Sequence, residues 1–166
     1  MSDTLEPQNP TEKKTVSFFT KLIATGFYSG YSPVAPGTAG SLVGVAIYLI
    51  PGFENSLSMP IITIAAFFIG VLISNQMEKQ LGDDPAPVVI DEIVGMWISL
   101  LFLPRQLLFV FTAFLLFRIF DIVKPQPARY VERFKNGWGI MLDDVVAGLY
   151  SNIAVRILIL IFPSIS

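Results

Sequence analysis

FRIFDIVKPQPARYVERFKNGWGIMLDDVVAG, residues 117–148, joins two apolar segments through a polar turn. Arg118, Asp121 and Lys124 stand where the first segment runs out at Pro125, and Asp143–Asp144 stand where the second begins. Charged side chains at the edge of a hydrocarbon layer are costly, so they mark a site or a pathway. With Asp91–Glu92 at the head of another apolar segment, they outline a cation-and-phosphate site facing a membrane surface.

The totals agree with a lipid solvent. The chain has 166 residues, 53% of them hydrophobic and 14% charged, with a mean hydropathy of +0.65. Soluble domains carry about 25% charged residues. Four apolar runs of 16 to 18 residues, Pro60–Met77, Val88–Leu103, Leu107–Val123 and Val145–Phe162, approach the length of a spanning helix. Ala39–Ile50 is shorter, at 12 residues, and either spans or re-enters. The expected fold is all-α: a polytopic membrane protein of about five embedded helices in one domain over residues 16–166. Residues 1–15 are polar, mixed in charge and free of any apolar core, so they read as a disordered cytosolic tail and not a signal peptide. Val16–Tyr28 has the composition of an interfacial helix.

Five spans starting from a cytoplasmic N-terminus place eight lysines and arginines in inner segments and only Arg105 in an outer loop. That bias gives N-in, C-out. The same topology gathers the 29–41, 79–87 and 124–143 loops on the cytoplasmic face. If Ala39–Ile50 neither spans nor re-enters, the 29–41 loop falls on the other face. The basic residues form no stripe suited to nucleic acid.

Missing residue types narrow the chemistry further. The chain has neither cysteine nor histidine, which excludes thiol catalysis, zinc-thiolate sites, Ser-His-Asp triads and phosphohistidine. Carboxylate, lysine, tyrosine and metal-bound water remain, and oxygen-rich sites favour a hard cation such as Mg²⁺.

Asp91, Gly95 and Ser99 share one helix face, as do Asp144, Ala147, Gly148 and Ser151. Each face sets a carboxylate over small residues that admit a close helix neighbour, so the two helices can pack and share one or two Mg²⁺ ions. Asp84 before Pro85 suits an N-cap. Arg118 and Asp121 fit a helical ion pair with Lys124 snorkelling; alternatively Lys124 and Arg129 hold phosphate oxygens while Asp121 joins the metal shell. Arg133 and Lys135 read as ordinary inner-loop charges. Gly37, Thr38, Gly40 and Ser41 form a glycine loop entering a helix, a shape ready for anions but without the Gly-Lys-Ser/Thr of a P-loop.

Four blocks, SPVAPGTAGS (32–41), VVIDEIVGMW (88–97), FRIFDIVKPQPAR (117–129) and GWGIMLDDVVAG (137–148), together resemble the phosphatidylglycerophosphatase A family of bacterial integral-membrane lipid phosphatases. The resemblance implies Mg²⁺-dependent removal of the terminal phosphate of phosphatidylglycerophosphate at the cytoplasmic side of the bacterial inner membrane. It implies metal and catalytic roles for Asp84, Asp91, Glu92, Asp121, Asp143 and Asp144, and phosphate contacts for Arg118, Lys124, Arg129 and Gly37–Ser41. The competing class is a cation or proton transporter, but no internal repeat is present. A CDP-alcohol phosphatidyltransferase begins its signature with Asp-Gly, a dipeptide this chain lacks.

Overall fold

The computed structural model describes residues 16–82 and 84–163; the expected tail over 1–15 lies outside them. Among the described residues there are seven α-helices and no strand. They are α1 (Phe18–Ala24), α2 (Pro36–Tyr48), α3 (Ser58–Leu81), α4 (Ile90–Leu100), α5 (Leu107–Val123), α6 (Ala128–Val131) and α7 (Trp138–Ile161), with a 3-10 turn at Ser29–Tyr31. Two of them, α3 and α7, are long and apolar enough to cross a membrane. At 24 residues each is about 36 Å long, against a hydrocarbon core of about 30 Å.

Helix α4 is the centre. It is apolar on nearly every side, and ten of its eleven residues are buried, as expected for a helix enclosed by others. Helices α2, α3, α5 and α7 all pack on it. Ile90, Val94 and Ile98 join one core cluster with Val71, Ile73 and Met77 of α3. Ile93, Met96, Trp97 and Leu100 join a second with Tyr48, Phe109 and Ala113. Small residues permit these approaches. A Cβ built on Gly40 would lie 2.6 Å from that of Val89, and one on Gly148 would lie 2.5 Å from the carbonyl oxygen of Gly95. The small residues below Asp91 and Asp144 therefore do let α4 and α7 pack closely.

Polarity runs inside-out. Asp91, Asp143, Asp144, Ser41, Ser74, Ser99 and Ser151 are buried, while Ile61, Phe68 and Leu72 of α3 and Leu107, Phe111 and Ile122 of α5 are exposed. An apolar exterior of this extent needs an apolar partner, and the protein is membrane-associated.

The element boundaries shift three expectations. Helix α2 starts at Pro36, so Gly37–Ser41 form its first turns and not a loop before it. Helix α4 starts at Ile90 with Val89 in the cap position, so Asp84 is not its cap and Asp91–Glu92 fall in its first turn. Helix α7 starts at Trp138, seven residues before the apolar run at Val145, which places Asp143–Asp144 inside it. Pure apolarity underestimates a helix whose first turns face a polar pocket.

The far end of α4 gives Arg156, a charge inside the apolar run 145–162, its role. Eleven residues span only about 16 Å, so the last carbonyls of α4 emerge within apolar surroundings where each needs a donor. Asn152 Nδ2 donates to Ser99 O and Leu101 O at 3.0 and 2.9 Å. Arg156 Nη2 donates to Leu101 O at 2.9 Å and its Nε holds Asn152 Oδ1 at 2.7 Å. Replacing Asn152 with Leu should therefore lower stability by about 1–3 kcal/mol, read as a lower thermal midpoint in detergent. An unchanged midpoint would show that these carbonyls find other donors.

Candidate functional site

The N-terminal ends of α2, α4 and α7 and the C-terminal ends of α3 and α5 meet at one end of the bundle. Arg105 lies at the other, paired with Glu54 at 2.6 Å. A cavity of about 500 Å³ opens at the first end, lined among others by Asp84, Asp91, Glu92, Asp121, Lys124, Asp143 and Asp144. The Gly37 turn reaches the same place, since a Cβ there would lie 2.2 Å from Glu92 Oε1 and 3.0 Å from Arg118 Nη2. The polar stretches 29–41, 79–87 and 124–143 thus do converge.

Two triplets of carboxylates lie close enough to hold a cation: Asp91, Glu92 and Asp144, and Asp121, Asp143 and Asp144. In each, one oxygen from every residue lies within 4.8 Å of the others. Asp144 belongs to both. The reason is local: Asp91 and Asp144 each stand four residues before the glycine at which α4 and α7 cross, so both carboxylates rise one turn above the contact.

Charge compensation is uneven. Arg118 Nη1 holds Asp121 Oδ2 at 2.9 Å and reaches Ser41 Oγ at 3.3 Å. Lys124 Nζ sits between Asp143 Oδ2 and Glu132 Oε1, 2.7 Å from each. Burial opposes the charge on Lys124, but hydrogen bonds from its ammonium to Asp143 and Glu132 hold its pKa above the ordinary lysine range. Asp91, Glu92 and Asp144 enter no ion pair among the described residues. Asp91 Oδ1, Glu92 Oε2 and Asp144 Oδ2 are buried with no hydrogen-bond partner among the described residues. Asp91 is 9% exposed and Asp144 2%, and charge so enclosed needs a counter-charge. Hard oxygens, closely grouped and unpartnered, fit a divalent cation.

Other expected residues lie behind or beside the cavity. Gly40 packs on Val89, Ser41 Oγ donates to Gly37 O at 2.9 Å, and Thr38 is not among the cavity-lining residues. Arg129 donates to Val123 O at 3.4 Å, closing the end of α5. Asp84 lines the cavity but belongs to neither triplet.

Sequence reasoning passed over Asn75, Glu78 and Glu132, and counted Lys79, Arg133 and Lys135 only as inner-loop charges, yet all six line the cavity. Glu78 also accepts the Gly137 N–H at 2.8 Å, tying α3 to the turn that launches α7. The i, i+3 spacing of Asn75 and Glu78 at the end of α3 was the available signal. Glu132 had none, because its partner Lys124 is reached across the intervening turn.

The sequence profile of the family described as Phosphatidylglycerophosphatase A matches residues 22–159. A protein of Bacteroides thetaiotaomicron, provisionally named phosphatidylinositol-3-phosphatase, is 47% identical over 152 residues, covering 87% of this chain and 96% of that one. Phosphatidylglycerophosphatase A of Escherichia coli K12 is 40% identical over 133 residues, covering 78% of this chain and 77% of that one. The Haemophilus influenzae protein of the same name is 38% identical over 154 residues, covering 89% and 93%. No solved structure matches the chain.

Proposed function

The chain belongs to the phosphatidylglycerophosphatase A family and is a phosphatase, and from that premise we propose that it hydrolyses the terminal phosphomonoester of phosphatidylglycerophosphate to phosphatidylglycerol with Mg²⁺. The observation that carries the proposal is the cavity in which Asp91, Glu92 and Asp144 present buried oxygens that no described side chain satisfies. These three, with Asp121 and Asp143 in the adjoining triplet and Asp84 beside them, would hold one or two ions. Once bound, Mg²⁺ supplies positive charge against the phosphoryl oxygens and Lewis acidity toward water.

The side chains do the rest. Lys124 and Arg118 bring positive charge to a phosphate whose transition state is stabilised by such neutralisation. The first turn of α2 sets Gly37 against Glu92 and Arg118, where a larger side chain would displace both. In hydrolysis the water oxygen bonds to phosphorus, the bond to the glycerol oxygen breaks, and the water proton ends on that oxygen. With no histidine in the chain, a carboxylate of the cluster relays it. Five membrane-embedded helices with the N-terminus inside would set this end of the bundle at the cytoplasmic leaflet of the inner membrane, consistent with Lys79, Lys124, Arg133 and Lys135 lining the cavity.

The Bacteroides relative favours a second substrate, phosphatidylinositol 3-phosphate, which presents a phosphomonoester on an inositol ring instead of on a glycerol chain. Phosphate release from each lipid in mixed micelles, with Mg²⁺ or EDTA, separates the two. Faster release from phosphatidylglycerophosphate, lost in EDTA, is expected. Faster release from the inositol lipid would reassign the substrate, and release unaffected by EDTA would remove the metal.

A further inference from the structure

The two carboxylate triplets are not equivalent, although they share Asp144. In the first, Asp91 and Glu92 have no cationic neighbour within ion-pair reach among the described residues, and each keeps a buried oxygen without a partner there. In the second, Asp121 is neutralised by Arg118 and Asp143 by Lys124, whose ammonium lies 2.7 Å from Asp143 Oδ2. A cation entering the second triplet would meet a lysine already seated on one of its ligands, whereas the first offers three acids and no competitor.

Resting on the phosphatase reading above, we propose that the site holds two unequal cation subsites bridged by Asp144: a resident one on Asp91, Glu92 and Asp144, and a second on Asp121, Asp143 and Asp144 that Lys124 keeps closed until a phosphate group draws the lysine away. The geometry shows the closed state and an anchor for the open one. Lys124 ends α5 in a left-handed backbone conformation, φ +48°, at the turn beside the cavity, and its ammonium is shared between buried Asp143 and the more exposed Glu132. Glu132 gives the lysine a second anchor when it leaves Asp143. A phosphomonoester arriving in the cavity supplies anionic oxygens that compete for the same ammonium. Phosphate binding would then free Asp143, and the second cation would enter only with substrate present. The ordering protects the empty enzyme from a second ion that no phosphate needs.

The test is Mn²⁺ binding to the full chain in detergent, followed by the electron paramagnetic resonance signal of the free ion, so that no turnover is required. Wild type should take one ion per chain, and two when inorganic phosphate is added. Lys124→Gln should take two without phosphate, the second bound at least about tenfold more tightly than in wild type. Lys124→Arg, which keeps the charge, should stay at one. Asp91→Asn should lose the resident ion. If Lys124→Gln does not fold, Asp143→Asn serves instead: it keeps the resident ion, and phosphate no longer adds another. Two equal ions in unliganded wild type, or one in a folded Lys124→Gln, would overturn the lysine-closed subsite and leave the phosphatase reading standing. No Mn²⁺ bound to wild type would overturn the cation site itself.

Discussion

Asp144→Asn is expected to cut phosphate release by about a hundred- to a thousandfold while the protein inserts and folds normally. Both carboxylate triplets use Asp144, so the change weakens every cation position at once. The amide is nearly isosteric, and the contact of Gly95 with the Asp144 carbonyl is untouched. Folding should not suffer, because Asp144 makes no ion pair and its Oδ2 is an orphan among like charges. Removing that charge should leave the thermal midpoint in EDTA unchanged or higher. Asp121→Asn sets the contrast. It breaks the 2.9 Å pair with Arg118, whose Nε already lacks a partner, so it should lower the midpoint as well as the activity. Near-normal turnover in Asp144→Asn would remove the shared cation. A midpoint falling as far as in Asp121→Asn would make Asp144 structural.

Much of the site was legible because its acids break an otherwise apolar sequence. Asp91, Glu92, Asp121, Asp143 and Asp144 all line one cavity, and the carboxylate-over-glycine pattern on α4 and α7 marks where those helices meet. The all-helical architecture followed from the apolar runs. Exact helix ends did not: α2 opens on Pro36, Gly37 and Thr38, which carry little hydropathy, and in α7 Asp143–Asp144 interrupt the apolar residues between the first turn and Val145. Glu132 and Glu78 were hidden for another reason. Each does its work through one contact with a residue distant in the chain or across a turn, Lys124 or Gly137, and periodicity carries no trace of such contacts. Arg156 was equally opaque, because its role depends on α4 ending early, beside Asn152.

Gly148→Ala should prove nearly as damaging as loss of an acid, although it touches no charge. The added Cβ would lie 2.5 Å from the carbonyl oxygen of Gly95 and 3.1 Å from Ile98 Cβ. The first obstacle is backbone, so no side chain can rotate away and the helices themselves must part. Overpacking of this kind costs about 1–3 kcal/mol. The greater effect is on geometry. Asp91 and Asp144 each sit one turn above this crossing, so a shift of α7 from α4 widens the triplet that both acids help build. Charge-assisted coordination tolerates little displacement at fixed ligand distances, and a misplacement of about 1 Å is enough to cost roughly a hundredfold in rate. Leu149→Ala is the control: the next residue faces outward and is 49% exposed. The expected signature is a joint loss of Mn²⁺ affinity and turnover in Gly148→Ala, with a lowered midpoint, against little change in Leu149→Ala. Gly148→Ala that destabilises the protein but still binds Mn²⁺ normally would show that the carboxylates are positioned by something other than the α4–α7 contact. The turn at Gly137 held by Glu78 would then be the next element to alter.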